Sequence, residues 1–241
     1  MVLDLYLDLD SQPCRAVYVF AKKNNIPFQF KRIDLMKMEQ RAEWFLKVNP
    51  VGQVPAMKDG DFALSESIAI LLYLAKKFNV ADHWYPSDVE KRARVDEYLA
   101  WQHTAIRKFG CEVFVIKALA PVFLDPLPPE KLEAAVKDLD EALRLFEDKF
   151  LQDRPFIAGR QVSLADLMAI EEIIQVVATG HDVFRSRPKM AAWRSRVEDA
   201  IGKELFQEAH KALFHPPELS VDQYPPALKE QTKESLVKWI R

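Results

Sequence analysis

The 241 residues carry 34 lysines and arginines against 36 aspartates and glutamates, a net charge of −2 and a pI near 6.2, with signs interspersed, so no basic patch invites nucleic acid or an anionic membrane. A hydrophobic content of 49% supplies cores for two modest domains, while two cysteines, Cys14 and Cys111, exclude a disulfide framework, and the five histidines show no metal-ligand spacing. Neither a leader-like segment nor a membrane-length apolar run occurs, so a cytoplasmic location is expected, with no membrane partner.

Leu3, Leu5, Leu7 and Leu9 alternate with Asp4, Tyr6, Asp8 and Asp10, the period of an amphipathic strand. Ser11-Gln12-Pro13-Cys14 opens a helix that continues through residues 15–23, Pro13 suiting its first turn. A second strand is expected over 28–35. Redox proteins of this pattern carry Cys-x-x-Cys at the strand-to-helix turn; here the first sulfur position is Ser11, which forms no disulfide. What remains is a hydroxyl at a helix N-terminus, where anions are stabilised. A free thiol with a pKa of roughly 8.5 is only a few per cent ionised at neutral pH. A hydrogen bond from Ser11 plus the helix field favours its thiolate, and a two-unit shift corresponds to about 2.7 kcal/mol. Ser11 is therefore read as activating the sulfur of a bound ligand, beside the plainer reading of an N-cap worth about 1 kcal/mol.

Residues 50–74 are the richest stretch. A hairpin is read from 54–57 and 62–65 around an Asp59-Gly60 turn. Ile68, Leu71, Leu72 and Ala75 then recur at helical spacing, so a helix starts near Glu66-Ser67. Its first turn offers unpaired N–H groups and a positive dipole end to a carboxylate. A cis Val54-Pro55 bond would turn the Val54 main-chain edge outward for strand-like pairing with an extended ligand. Alone, Ser65-Glu66-Ser67 reads as a helix cap; beside Val-Pro and Asp-Gly it reads as part of a cradle for a short peptide. The order strand, helix, strand, loop, strand, strand, helix over residues 1–79 is that of an α/β N-terminal thioredoxin-like domain.

Residues 80–87 break the helical period as a linker, ending on a capping box at Ser87-Asp88-Val89-Glu90. Residues 88–241 read as an all-α C-terminal domain. Leu132, Val136, Leu139, Leu143, Phe146 and Phe150 make one apolar stripe; Ser163 with Asp166 starts a further helix, and Pro188 precedes one carrying Trp193 and Val197. His215-Pro216-Pro217 and Pro225-Pro226 frame an irregular segment before a terminal helix over 227–240. Cys14 is read as buried, His103 as packing within the helical half, and Lys22-Lys23 and Lys76-Lys77 as solvated. Arg107 has Glu112 and Asp96 as nearby acidic partners.

With Leu5-Tyr6-Leu7-Asp8, Ser11-Gln12-Pro13-Cys14-Arg15-Ala16, Val48-Asn49-Pro50, the cradle, Trp84-Tyr85-Pro86, the run Arg94-Val95-Asp96-Glu97-Tyr98-Leu99-Ala100-Trp101-Gln102-His103 and Ser163-Leu164-Ala165-Asp166, the chain resembles a vertebrate-type theta-class glutathione transferase over almost its whole length. The resemblance implies a cytosolic homodimer that adds the glutathione thiolate to alkyl halides, epoxides and reactive sulfate esters, with dehalogenase and peroxidase side activities. Glutathione is then a co-substrate, and no cofactor or metal is implied. It also implies roles: Ser11 stabilises the thiolate and Arg107 is directed into the active site. Gln40, Arg41, Gln53, Val54, Pro55, Glu66, Ser67 and Thr104 bind glutathione, and a C-terminal extension lies over the site, with Ser235, Lys238 and Trp239 as candidates for its inward side chain.

One departure stands out. Gln40-Arg41 and Gln53 occupy positions where the family commonly has His and Lys, so the glycine carboxylate of glutathione loses a charge-assisted contact about twice as strong as a neutral one, with Arg41 or Lys37 left to compensate. Two alternatives use the same residues differently: a non-catalytic carrier or interaction module, and a thiol oxidoreductase working through Cys14.

Overall fold

The computed structural model describes residues 3–216 and 224–240. β1 (Leu3–Leu7) buries its three leucines, as the alternation requires. Through α1 (Gln12–Lys23) it reaches its parallel partner β2 (Gln29–Arg32), and on its other side it pairs antiparallel with β3 (Ala56–Asp59), which in turn pairs antiparallel with β4 (Phe62–Ser65). The sheet order is β2-β1-β3-β4. Between β2 and β3 lies a short helix, α2 (Glu43–Leu46).

Two details of the hairpin differ from expectation. β3 begins at Ala56, since Pro55 has no N–H to give a ladder. Asp59 pairs with Phe62, so the turn is Gly60-Asp61, one residue later than expected, with Gly60 supplying the positive φ of 63°. In α3 (Ser67–Lys77) the buried face is Ser67, Ile70, Leu71 and Leu74, whereas Ile68, Leu72 and Ala75 are half-buried. Packing against α1 chooses that phase among the apolar positions. Lys77 is not simply solvated: it pairs with the Asp59 carboxylate, to which the Tyr73 hydroxyl donates at 2.6 Å.

The helical half comprises α4 (Val89–Trp101), α5 (Ile106–Phe114), α6 (Ala120–Phe123), α7 (Pro129–Leu145), α8 (Leu164–Val177), α9 (Pro188–Ile201), α10 (Lys203–Phe214) and α11 (Pro226–Val237). The N-cap of α4 is Asp88, which accepts from the Lys91 N–H at 2.9 Å; Ser87 instead donates its N–H to Asp82 at 2.9 Å. In α7 and the wide turn after it, Leu139, Leu143, Phe146 and Phe150 are buried, with Leu132 and Val136 half-buried. The expected box at α8 forms: Asp166 accepts from the Ser163 N–H at 3.0 Å and its hydroxyl at 2.8 Å, and also from the Trp193 indole at 2.9 Å.

α8 is buried on every side from Leu164 to Val176, which marks it as the central helix. Leu5, Val17 and Leu71 belong to the same apolar cluster as Tyr98, Leu139 and Trp193. The α/β half and the helical half thus share one continuous core.

Candidate functional site

The site begins where β1 hands over to α1. Ser11 stands at the N-cap position with φ −92° and ψ 124°, but its side chain makes no capping hydrogen bond. Its main chain is fixed on both sides: the N–H donates to Asp8 O at 3.0 Å, and the C=O accepts from Arg15 N at 3.0 Å. The hydroxyl, not used as a cap, lies at the positive end of the helix beside the Cys14 thiol. Cys14 is fully buried, and burial pushes its thiol up to about 12 against the opposing pull of a hydrogen bond from Ser11. A fully buried thiol held neutral is a poor nucleophile out of reach of a substrate, which weighs against the oxidoreductase reading.

The cradle lies at the same end of the sheet as Ser11. The ladders end at the pairs Tyr6↔Ala56 and Ala56↔Ser65, so Val54 lies past them, next to a cis bond to a buried Pro55. Glu66 adopts φ 69° and ψ 115°, a conformation that a non-glycine residue adopts at a cost and that clusters at functional sites. Its exposed side chain makes no cap bond, so the capping explanation of Ser65-Glu66-Ser67 does not account for it. Ser67, buried, is the first residue of α3.

A rim forms beside the cradle. Gly52, at φ 66°, lies under Arg41: a Cβ there would stand 2.7 Å from Arg41 Nη1 and 3.1 Å from Gln40 O. The Gln53 carbonyl accepts from Asn49 Nδ2 at 2.8 Å, leaving an exposed amide side chain. Gln40, Arg41 and Gln53 therefore share one edge. Arg41 spends part of its guanidinium on Val51 O at 3.2 Å, and Lys37 pairs with Asp34 at 3.2 Å.

From the helical half, α5 brings Arg107. Arg107 pairs with a residue of another helix and not with Asp96: Nε donates to Glu172 Oε1 at 2.8 Å, and Nη2 lies 2.7 Å from the same oxygen. Asp96 instead accepts from the Tyr85 hydroxyl at 3.0 Å. The reason is packing, because α5 lies along α8 and a buried carboxylate there needs a cation. Burial pushes the Glu172 carboxyl up, and Arg107 opposes it. Burial and Arg107 both lower the His103 imidazole, while Glu66 opposes them. Glu66 of one half and Arg107 and His103 of the other are thus close enough to feel one another. Gln12 Nε2 reaches Cys111 Sγ at 3.2 Å, linking the α1 mouth to α5. Thr104 is exposed, with its hydroxyl on Trp101 O at 3.3 Å.

In the C-terminal extension Ser235, Lys238 and Trp239 are all exposed. The inward side chains are Leu236, in the last turn of α11, and Ile240, three residues past its end and so beyond the terminal helix expected over 227–240; they pack with Val115, Phe123 and Met36. Met36 belongs to the α/β half and Phe123 to α6, so the extension bridges the two halves. Pro217 of the irregular segment lies outside the described residues. Gln12, Glu172, Leu236 and Ile240 were not anticipated as site residues; only the apolar character of Leu236 and Ile240 in a mostly polar tail signals them in sequence. Among the described residues no cluster of His, Cys, Asp or Glu could hold a metal, and no helix is long and apolar enough to cross a membrane.

Residues 1–76 match the family model for the glutathione S-transferase N-terminal domain, and residues 111–200 match that for its C-terminal domain. Glutathione S-transferase theta-3 of Mus musculus is 54% identical over 98% of each chain, and the theta-1 enzyme of Homo sapiens is 52% identical over 100% of this chain and 98% of its own. The chain belongs to the theta class of glutathione S-transferases. Among solved structures, apo human glutathione-S-transferase T1-1 superposes with a TM-score of 0.92 at 50% identity, covering 99% of this chain and 100% of that one. A human theta-class enzyme in complex with the glutathione conjugate of 1-menaphthyl sulfate gives 0.93 at 48% identity over the whole of both chains. The thioredoxin-like layer followed by an all-helical domain is therefore the theta-class fold, and theta-class membership carries glutathione transferase activity.

Proposed function

We propose that this theta-class chain joins the glutathione sulfur to small alkyl halides, epoxides and reactive sulfate esters, with the Ser11 hydroxyl holding the thiolate. The observation that carries this is the Ser11 side chain, placed at the mouth of α1 and free of a capping bond. In this reading the Val54 main chain pairs with the cysteinyl unit of glutathione, Glu66 and Ser67 take its γ-glutamyl end, and Gln40, Arg41 and Gln53 line its glycine carboxylate.

The thiol proton leaves to solvent as the complex forms. The thiolate then attacks carbon from behind, an S–C bond forms, and the bond to halide, sulfate or epoxide oxygen breaks with its electron pair. Arg107, on α5, offers positive charge to the departing anion. Halide release makes the same step a dehalogenation. A human theta-class structure with the conjugate of an aralkyl sulfate supports the sulfate ester class. We further propose a homodimer in the cytoplasm, a reading supported by the half-exposed Phe62 on the edge strand β4.

Ser11→Ala should fold, still bind glutathione and lose about two orders of magnitude in kcat, the equivalent of about 2.7 kcal/mol. Initial rates against a dihalomethane, an epoxide, an aralkyl sulfate and a chloronitrobenzene test the substrate class. Full turnover in Ser11→Ala would remove the serine from the mechanism, and a wild type inert to all four electrophiles would favour the carrier reading.

A further inference from the structure

We propose that Arg15, Glu171 and Gln175 form an interdomain clamp that positions the Ser11 hydroxyl, and so act as positioning residues for the transfer; this rests on the Ser11 reading above. The three carbonyls of the turn that carries Ser11 are each held. Leu9 O accepts from Arg15 Nη1 at 2.8 Å, Asp10 O from Gln175 Nε2 at 3.3 Å, and Ser11 O from Arg15 N at 3.0 Å. From inside the α/β half, Asp8 supplies the remaining ties, its Oδ1 accepting from Asp10 N and its O from Ser11 N, both at 3.0 Å.

The other ends of these contacts lie on α8. Arg15 Nε donates to Glu171 Oε2 at 2.9 Å, and Nη2 donates to Gln175 Oε1 at 2.6 Å and to Glu171 O at 3.3 Å. Neither Arg15 nor Glu171 has any solvent exposure. The carboxylate is itself anchored on α10, because His210 Nε2 lies 2.9 Å from Glu171 Oε2 while His210 Nδ1 lies 2.7 Å from Phe206 O.

A buried ion pair is a poor way to gain stability, since well-packed apolar groups of the same volume often do as well. What a planar guanidinium supplies instead is several donors in fixed directions. Here all three nitrogens are used, Nη1 toward Leu9 and Nε and Nη2 toward α8, so that the two are fixed relative to each other. The turn bearing Ser11 is consequently registered against the helical domain that holds Arg107, not only against its own sheet. Misplacing a reacting group by about 1 Å can cost as much as a hundredfold in rate, so a hydroxyl that must meet a sulfur needs such a frame.

The experiment compares full-length wild type, Gln175→Leu, Arg15→Lys and Glu171→Gln by ultraviolet titration of the glutathione complex and by steady-state kinetics, with circular dichroism to confirm folding. Gln175→Leu keeps the buried charge pair, so it stays folded even where the other two do not. In each folded variant the bound sulfur should titrate nearer to its value in free glutathione, and kcat should fall about tenfold or more with little change in the glutathione KM. A lowered thiol pKa in wild type that Gln175→Leu leaves unchanged, together with an unchanged kcat, overturns the clamp alone. A wild-type complex whose sulfur titrates as it does in free glutathione overturns the Ser11 reading and the clamp with it.

Discussion

At the scale of single residues, Gln53 makes the sharpest test of how this chain holds its co-substrate. Its carbonyl is pinned by Asn49 and its side chain is exposed beside Arg41, which already donates to Val51. A lysine at 53 would need no backbone change, and a charge-assisted contact to the glycine carboxylate exceeds the neutral one by about 1 kcal/mol. Gln53→Lys should therefore lower the glutathione KM about fivefold. Rates at varied glutathione and fixed electrophile check this, and an unchanged or higher KM would show that the rim does not hold that carboxylate. The local backbone at Ser11, Val54, Glu66 and Ser67, an N-cap position, a cis Val-Pro bond and a helix start, was legible in sequence because its chemistry is local. The partner of Arg107 was not: Glu172 lies 65 residues away on a different helix, and only packing of α5 on α8 brings them together. Gln12 escaped notice for the same reason, since Cys111 is 99 residues distant.

At the scale of elements, periodicity identified β1 and α7, Pro13 marked the start of α1, and the Ser163 and Asp166 pair marked the start of α8 as the structure has it. Phase was harder. The apolar positions of α3 allow more than one buried stripe, and contact with α1 selects Ile70, Leu71 and Leu74. The extension shows the same effect, because α11 is mostly polar and its apolar docking, among the described residues, rests on Leu236, with Ile240 past its end and the Tyr224 ring against Phe123 at 5.3 Å. That is a thin attachment for a helix of 12 residues. Leu236→Asp puts a charge where a 6% exposed leucine packs, and an unpaired buried carboxylate is expensive. The variant should release α11 while leaving the rest of the fold intact. Limited proteolysis should then clip the extension faster than in wild type, while the thermal midpoint of the remainder changes little. Clipping at the wild-type rate would mean that contacts other than this apolar face hold the helix.

At the scale of the whole molecule, α8 runs through a core shared by both halves and carries two neighbouring glutamates that look in different directions. Glu171 faces Arg15 and His210, and Glu172 faces Arg107. Burial pushes the Glu171 carboxyl up, but His210 and Arg15 more than offset it, and the group is held below its ordinary value. For Glu172 burial wins over Arg107, and the group is held above it. The consequences for stability have opposite signs. With Glu171, the unfolded chain holds the extra proton below an ordinary carboxyl value of about 4.3, so its contribution is present above that pH and is lost as pH falls through the folded value. With Glu172, the folded protein holds the extra proton above about 4.3, so its contribution is full at lower pH and is lost as pH rises through the folded value. Each full proton of difference changes the unfolding free energy by about 1.4 kcal/mol per pH unit. Urea unfolding of wild type, Glu171→Gln and Glu172→Gln across the acid range should separate the two. Relative to wild type, Glu171→Gln should become less stable as pH rises and Glu172→Gln more stable, whatever constant cost each carries from leaving an arginine without its partner. Slopes of the same sign for both variants would mean that the two carboxylates share one environment, and that α8 does not divide its charge between the two halves of the molecule.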